Sequence, residues 1–286
     1  MSADQLAGSR AAPARRPARK GRPLVKLSGV VLLPLLSAVI GIGGWEILVR
    51  ILKPPTYLLP PPSLVVEQIV ENWQLLLSEL GATLIASAIG FVIAVTLGLA
   101  AGAAIAGSRT VDRMLTPWLV IAHAVPKVVI APLFLVWFGF GLKSEILFVV
   151  TFTFFPVIVN TVIGLNSADP ELLQLVRAMG AQSFQTLTKI RFPNALPSIF
   201  AGIKLSVTLA PVGAVIGEFV ASNKGLGHLL IQSVGNMETP LAFAAVTVFS
   251  IFGVLIWKFA ELMERLALPW HASQRERRRT LEQSQP

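Results

Sequence analysis

Polar residues in this chain gather in a few places, and the stretches between them are almost free of charge. Glu79 and Arg109 bracket 29 uncharged residues, and Glu145 and Asp169 bracket 23. Lys26 and Glu46 bracket 19, as do Glu238 and Lys258. Runs of this length match the ~20 apolar residues a helix needs to cross ~30 Å of hydrocarbon. The pattern predicts an all-α, polytopic membrane protein with six transmembrane helices. These fall at 28–51, 81–107, within 112–140, at 145–166, within 195–221 and within 240–266. Between the first two, residues 59–63 read Leu-Pro-Pro-Pro-Ser, a stiff extended piece. A helix then follows with Val66, Ile69, Val70, Trp73, Leu77 and Leu80 at 3-4 spacing and Glu67, Glu71 and Gln74 off that face, as in a helix lying along the membrane interface.

Composition narrows the class. Charged residues are 14% of the 286 against the ~25% usual for soluble domains, 54% are apolar, and there is no Cys. A soluble enzyme and a disulfide scaffold are excluded. The net charge of +9 does not point to nucleic acid, because no binding module accompanies it. Seven cations fall in residues 1–26 and four more in 271–286, two polar tails that read as disordered cytoplasmic extensions of a permease-sized domain at 27–270. With the N-terminus inside, seventeen Lys and Arg lie on the cytoplasmic side and four outside (Arg50, Lys53, Lys143, Lys224), so both termini are predicted to be cytoplasmic.

That orientation makes 167–194 the longest internal cytoplasmic loop. Pro170 is placed to open a helix, and Glu171 favours its positive end. Leu172, Leu175, Val176 and Met179 recur at 3-4 spacing before Gly180. Ser183 can cap a second short helix through Phe184, Leu187 and Ile190, which Pro193 helps to end before the fifth span. Two short amphipathic helices joined at a glycine form either a docking element or a pair of interfacial caps on the bundle.

Candidate pathway residues lie mainly in the third span. Pro126 and Pro132 each remove a backbone donor, so 113–141 is not one straight helix. Broken backbone at membrane depth is tolerated where it is buried or lines a cavity. Lys127 beside the first break either attracts an anionic solute or snorkels to the interface. Lys204 and Glu218 stand 14 residues apart, about 21 Å along a helix, and do not pair. Lys204 is read as snorkelling, and Glu218 as facing a pore mouth or binding a neighbouring backbone. Asn160 and Asn166 are read as joining helices, and His123 as a packed or interfacial residue. No phosphate-binding loop, metal-ligand spacing or nucleophile turn is present, so an enzyme is not indicated and any ATP must be bound elsewhere.

Gly180 is followed by nine residues, then Ile190, Arg191, Phe192 and Pro193. This resembles the cytoplasmic motif of ATP-binding-cassette importer permeases: Glu-Ala-Ala, three free positions, Gly, nine free positions, Ile, one free position, Leu-Pro. Phe192 takes the Leu place, and Gln174, Leu175 and Val176 replace the opening triplet. His123-Ala124-Val125-Pro126-Lys127, Ala131-Pro132-Leu133, Trp137-Phe138-Gly139-Phe140-Gly141, Gly217-Glu218-Phe219 and Gly225-Leu226-Gly227 resemble the nitrate, sulfonate and taurine group, over residues 59–270. The resemblance implies a type I importer permease fold with Glu171, Gln174, Arg177, Gly180, Ala181, Ile190, Phe192 and Pro193 as the ATPase-coupling residues. Pro126, Lys127, Pro132, Trp137 and Glu218 are the candidate residues of the translocation path. The resemblance also implies two cytoplasmic ATPase subunits that carry ATP and Mg, a second permease copy, an extracytoplasmic binding protein and a bacterial inner membrane. The chain itself is expected to bind no cofactor, metal or nucleic acid. A small organic or oxyanion solute, or a pyrimidine-precursor or aromatic-acid type, would be carried by alternating access. The alternative is a secondary transporter driven by an ion gradient, which would need intramembrane carboxylates or inverted repeats.

Overall fold

The computed structural model describes residues 27–267, so the tails at 1–26 and 271–286 lie outside the described residues. The chain divides at Leu48 into two units. The helix α1 (Leu27–Leu52) runs across that division and contains Pro34. Every regular element among the described residues is helical.

α2 (Pro62–Glu71) starts on a proline whose missing N–H costs nothing there, and Asn72 separates it from α3 (Trp73–Gly107). The second span thus begins eight residues before the expected 81. The apolar stripe read as one interfacial face is split. Val65 and Leu76 are buried with Leu226, Leu229, Ala244 and Ala245, with Ile69 and Leu80 packed alongside. Val66, Val70, Trp73 and Leu77 stay exposed. Apolar residues on both faces are the pattern expected where one side meets protein and the other lipid.

α4 (Arg109–Ala124) and the segment 127–138, a 3-10 turn (Lys127–Ile130) followed by α5 (Ala131–Phe138), meet at a bend of 88°. Val125, which precedes Pro126, is extended at φ −70° and ψ 126°, as the proline ring demands of its neighbour. Only this proline breaks the helix. Pro132 sits in the first turn of α5, where no donor is needed.

α6 (Leu142–Asn166), α7 (Pro170–Ala178), α8 (Ser183–Thr186), α9 (Phe192–Ala221), α10 (Leu226–Gly235) and α11 (Thr239–Ala267) complete the chain. Among the described residues, four helical stretches are long and apolar enough to cross a membrane: Trp73–Gly107, Leu142–Asn166, Ser183–Ala221 and Thr239–Ala267. The bent pair makes a fifth if it is one span.

Small residues set the packing. A Cβ on Gly90 would strike Val149, one on Gly98 would lie 2.8 Å from Val157, and one on Gly102 would lie 2.7 Å from Thr161. The constant offset along both chains means that α3 and α6 run parallel. Gly164 meets Ala195, Gly202 meets Asn160, Gly213 meets Val149 and Gly217 meets Glu145, so α6 and α9 run antiparallel. Because α3 and α6 are parallel, the intervening 108–141 must carry the chain back to the starting end. This is the physical reason to read the bent pair as one broken span. Ser206 Oγ donates to the Thr153 carbonyl at 2.7 Å across the buried α6–α9 contact. Close backbones and such polar links hold helices together where lipid supplies no hydrophobic drive. Lys204 Nζ meets Glu264 Oε2 at 2.8 Å. Phe200 and Ile203 face Phe259 and Met263 at that level, while Val215 and Phe219 face Ala245 and Phe249 further along, so α11 runs antiparallel to α9. The expectation of a snorkelling Lys204 is therefore replaced by an ion pair between two spans.

Candidate functional site

The loop after α6 is built from its caps. Asp169 Oδ1 accepts the Glu171 N–H at 2.9 Å and Pro170 opens α7. At the other end Gly180 takes φ +83°. Its N–H donates to the Arg177 carbonyl at 3.0 Å, and the Ala181 N–H donates to the Val176 carbonyl at 3.2 Å. This pair of bonds closes a helix C-terminus through a left-handed residue, and glycine enters that region without a Cβ penalty. The motif glycine is thus a backbone requirement.

The second helix differs from the sequence reading in two ways. Gln182, not Ser183, is its N-cap, and the Gln182 N–H donates back to Gln185 Oε1 at 3.0 Å. Pro193 does not end it. The chain is helical from Ser183 to Ala221, 39 residues without interruption. A π turn at Leu187–Arg191 makes this possible: the Phe192 N–H reaches back to the Leu187 carbonyl. The wider turn takes up the missing donor and the ring bulk that Pro193 brings to a continuing helix.

α7 has no buried residue. Leu172, Leu175, Met179 and Phe184 are exposed, Met179 by 78%. Glu171, Gln174 and Arg177 lie on the same short helix. Arg177 and Ala181 line a cleft of about 410 Å³ with Gly107, Phe184, Leu187 and Arg191. Ile190 and Phe192 flank the end of the π turn, with Phe192 46% exposed. The predicted coupling residues therefore occupy one face-bearing hairpin and its root.

Arg191 counts in the sequence only as a topological charge. In the structure its Nε donates to the Leu165 carbonyl at 2.9 Å, Nη1 to the Ala106 carbonyl at 3.2 Å and Nη2 to Asn166 Oδ1 at 2.8 Å. Asn166 thereby joins helices, as expected. Asn160 bonds within its own helix, to the Pro156 carbonyl at 2.8 Å.

The predicted pathway residues do not gather at one point. Pro126 forms the break, and Lys127 Nζ lies 5.5 Å from the centre of the Phe152 ring. His123 stacks on Phe155 at 3.8 Å. Trp137 is 62% exposed beside Phe134 and Phe138 on α5. Gly139 and Gly141, both at positive φ, turn the chain into α6, and the Gly141 N–H donates to the Ala221 carbonyl at 2.6 Å. Glu218 is buried to 1% exposure and accepts the Gly227 N–H at 2.7 Å. Of its two sequence readings, this geometry is the bond to a neighbouring backbone. Glu79 accepts the Gly225 N–H and Thr83 Oγ1 accepts the Leu226 N–H at 3.0 Å, so three side chains satisfy the first donors of α10. Sequence reasoning misses α10 and the role of Glu79. The available signal is Gly225 ahead of Leu226, Leu229 and Leu230.

A bundle of long apolar helices with close-packed backbones, carrying an exposed helical hairpin at one end, defines a multi-pass membrane protein. Comparison with known proteins makes that class specific. The chain belongs to the family described as binding-protein-dependent transport system inner membrane component, which matches residues 94–268. It is 36% identical over 234 residues to a riboflavin transport system permease protein of Chloroflexus aurantiacus, covering 80% of this chain and 86% of that protein. It is 32% identical over 251 residues to a formylaminopyrimidine transport permease protein of Halalkalibacterium halodurans, covering 87% and 100%. A taurine transport system permease protein of Escherichia coli is 28% identical over 239 residues, covering 79% and 85%. In fold the chain is similar to inward-facing structures of the MetNI methionine ABC transporter (TM-score 0.54, 20% identity, 68% of this chain and 94% of that one). An amino acid ABC transporter crystallised with histidines matches with a TM-score of 0.55 at 19% identity, over 69% and 96%. The protein is the permease subunit of an ABC importer, and the secondary-transporter alternative is set aside.

Proposed function

We propose that the hairpin of α7 and α8 is the face on which a cytoplasmic ATPase subunit acts, and that α9 is the lever it moves. The observation that carries this is the continuous helix from Ser183 to Ala221, which joins the exposed hairpin to a membrane span with no loop between them. Burying Leu172, Leu175, Met179 and Phe184 against a partner stabilises by about 1.5–3 kcal/mol for each side chain fully covered. Rotation of an ATPase subunit then tilts α9, and the helices packed on it shift between two arrangements.

The full importer combines two ATPase subunits holding ATP and Mg, two copies of this chain and an extracytoplasmic binding protein, in a bacterial inner membrane. α1, the four uninterrupted spans and the broken one make six. The basic excess at the docking-loop end puts both termini in the cytoplasm. The broken span, with Pro126, Lys127, Pro132 and Trp137, borders the path, and Glu218 secures its outer end. The relatives' names and the cation at Lys127 support a small organic anion or a planar heterocycle as solute. A Cys at 175 should crosslink to the ATPase subunit, and deletion of 171–182 should stop uptake while leaving the chain in the membrane. Uptake that survives the deletion overturns the reading. Ligand screening of the partner binding protein selects the solute.

A further inference from the structure

We propose that Arg191 is a coupling clamp: its guanidinium makes the docking hairpin and the ends of α3 and α6 move as one body. The inference rests on the docking role of α7 and α8. Three of the five guanidinium N–H groups are used, each on a different residue: Ala106, Leu165 and Asn166. Ala106 and Leu165 lie in the last turns of α3 and α6, where carbonyls have no partner within the helix. Those ends also carry partial negative charge, which a cation stabilises. One side chain thus satisfies the ends of two parallel spans from the root of the third.

Its position gives the clamp a mechanical role. Arg191 closes the π turn, the one departure from α geometry between the hairpin and Ala221. A push on α7 and α8 could be absorbed there by stretching the turn. With Arg191 bonded to α3 and α6, the same push must carry their ends along. The end of α3 is one residue, Ser108, from α4, and Ser108 Oγ accepts the Val111 N–H that starts it. Displacement of α3 is therefore passed to the broken third span. Lysine reproduces this only in part. It offers a flexible point charge where arginine presents a planar fork.

The test uses the reconstituted complex of permease and ATPase subunits carrying a Cys at 175. In Arg191→Met the crosslink to the ATPase subunit should form as in the parent, while solute moved per ATP hydrolysed falls about tenfold. Arg191→Lys should recover part of that ratio, and the thermal midpoint should not follow the same order. A ratio for Arg191→Met within about twofold of the parent overturns the clamp. So does a ratio that simply tracks thermal stability across the two variants. If Arg191→Met fails to insert, Asn166→Leu, which removes one bond of the three, decides. Partial loss of coupling supports the clamp and unchanged coupling overturns it. A parent that never crosslinks overturns the docking role instead.

Discussion

Substitution at Gly180 isolates one energetic term. The residue stands at φ +83°, and a Cβ built on it meets nothing within 4 Å. A side chain here costs only what the left-handed backbone costs. For alanine that is about 1–2 kcal/mol, which lowers the ratio of this hairpin geometry to its alternatives by about five- to thirtyfold. Asparagine enters the same region more readily and should cost less. Proline is fixed near φ −65° and also removes the N–H that bonds the Arg177 carbonyl, about 3 kcal/mol or more. Solute-stimulated ATP hydrolysis in proteoliposomes should therefore fall in the order Gly, Asn, Ala, Pro, and be abolished in the last. Membrane insertion, read by protease protection, should be equal in all four. Alanine matching or exceeding asparagine would refute the backbone argument, and intact coupling in Gly180→Pro would refute the assignment of the hairpin.

Gly98→Ala places a methyl 2.8 Å from Val157 and should lower the thermal midpoint through about 1–3 kcal/mol of overpacking; Val157→Ala in the same chain should restore most of it. Lys204→Met should destabilise more than the double variant Lys204→Met with Glu264→Leu, because the single change leaves a carboxylate without its partner; thermal unfolding in lipid nanodiscs gives the order. A reporter fused after residue 286 should read cytoplasmic, and Lys127→Met should reduce uptake of an anionic solute without changing insertion, both measured in whole cells.

Properties set by near neighbours are legible in the chain itself. The long uncharged runs locate the uninterrupted spans at 145–166 and 240–266 to within three residues at either end, because crossing hydrocarbon depends on length and composition. Pro126 marks its own break, since a proline acts on its immediate neighbours. The spacing from Gly180 to Pro193 marks the hairpin, because a left-handed turn and the helices beside it are set within a few residues. Pro193 misleads for the same reason. Read locally it ends a helix, whereas the structure absorbs it in a π turn.

Partnership across the bundle is not written in any window. Arg191 finds its acceptors 25, 26 and 85 residues away, and the Lys204–Glu264 pair spans 60. Which helices run parallel, and which glycine opens to which valine, depends on how closely two backbones can approach. Helices in lipid choose neighbours by shape and by unsatisfied carbonyls rather than by hydrophobicity, which every span shares. The amino-acid sequence therefore determines that this protein is a many-helix membrane chain with an amphipathic hairpin between two of its spans. Tertiary packing alone decides what that hairpin is tied to.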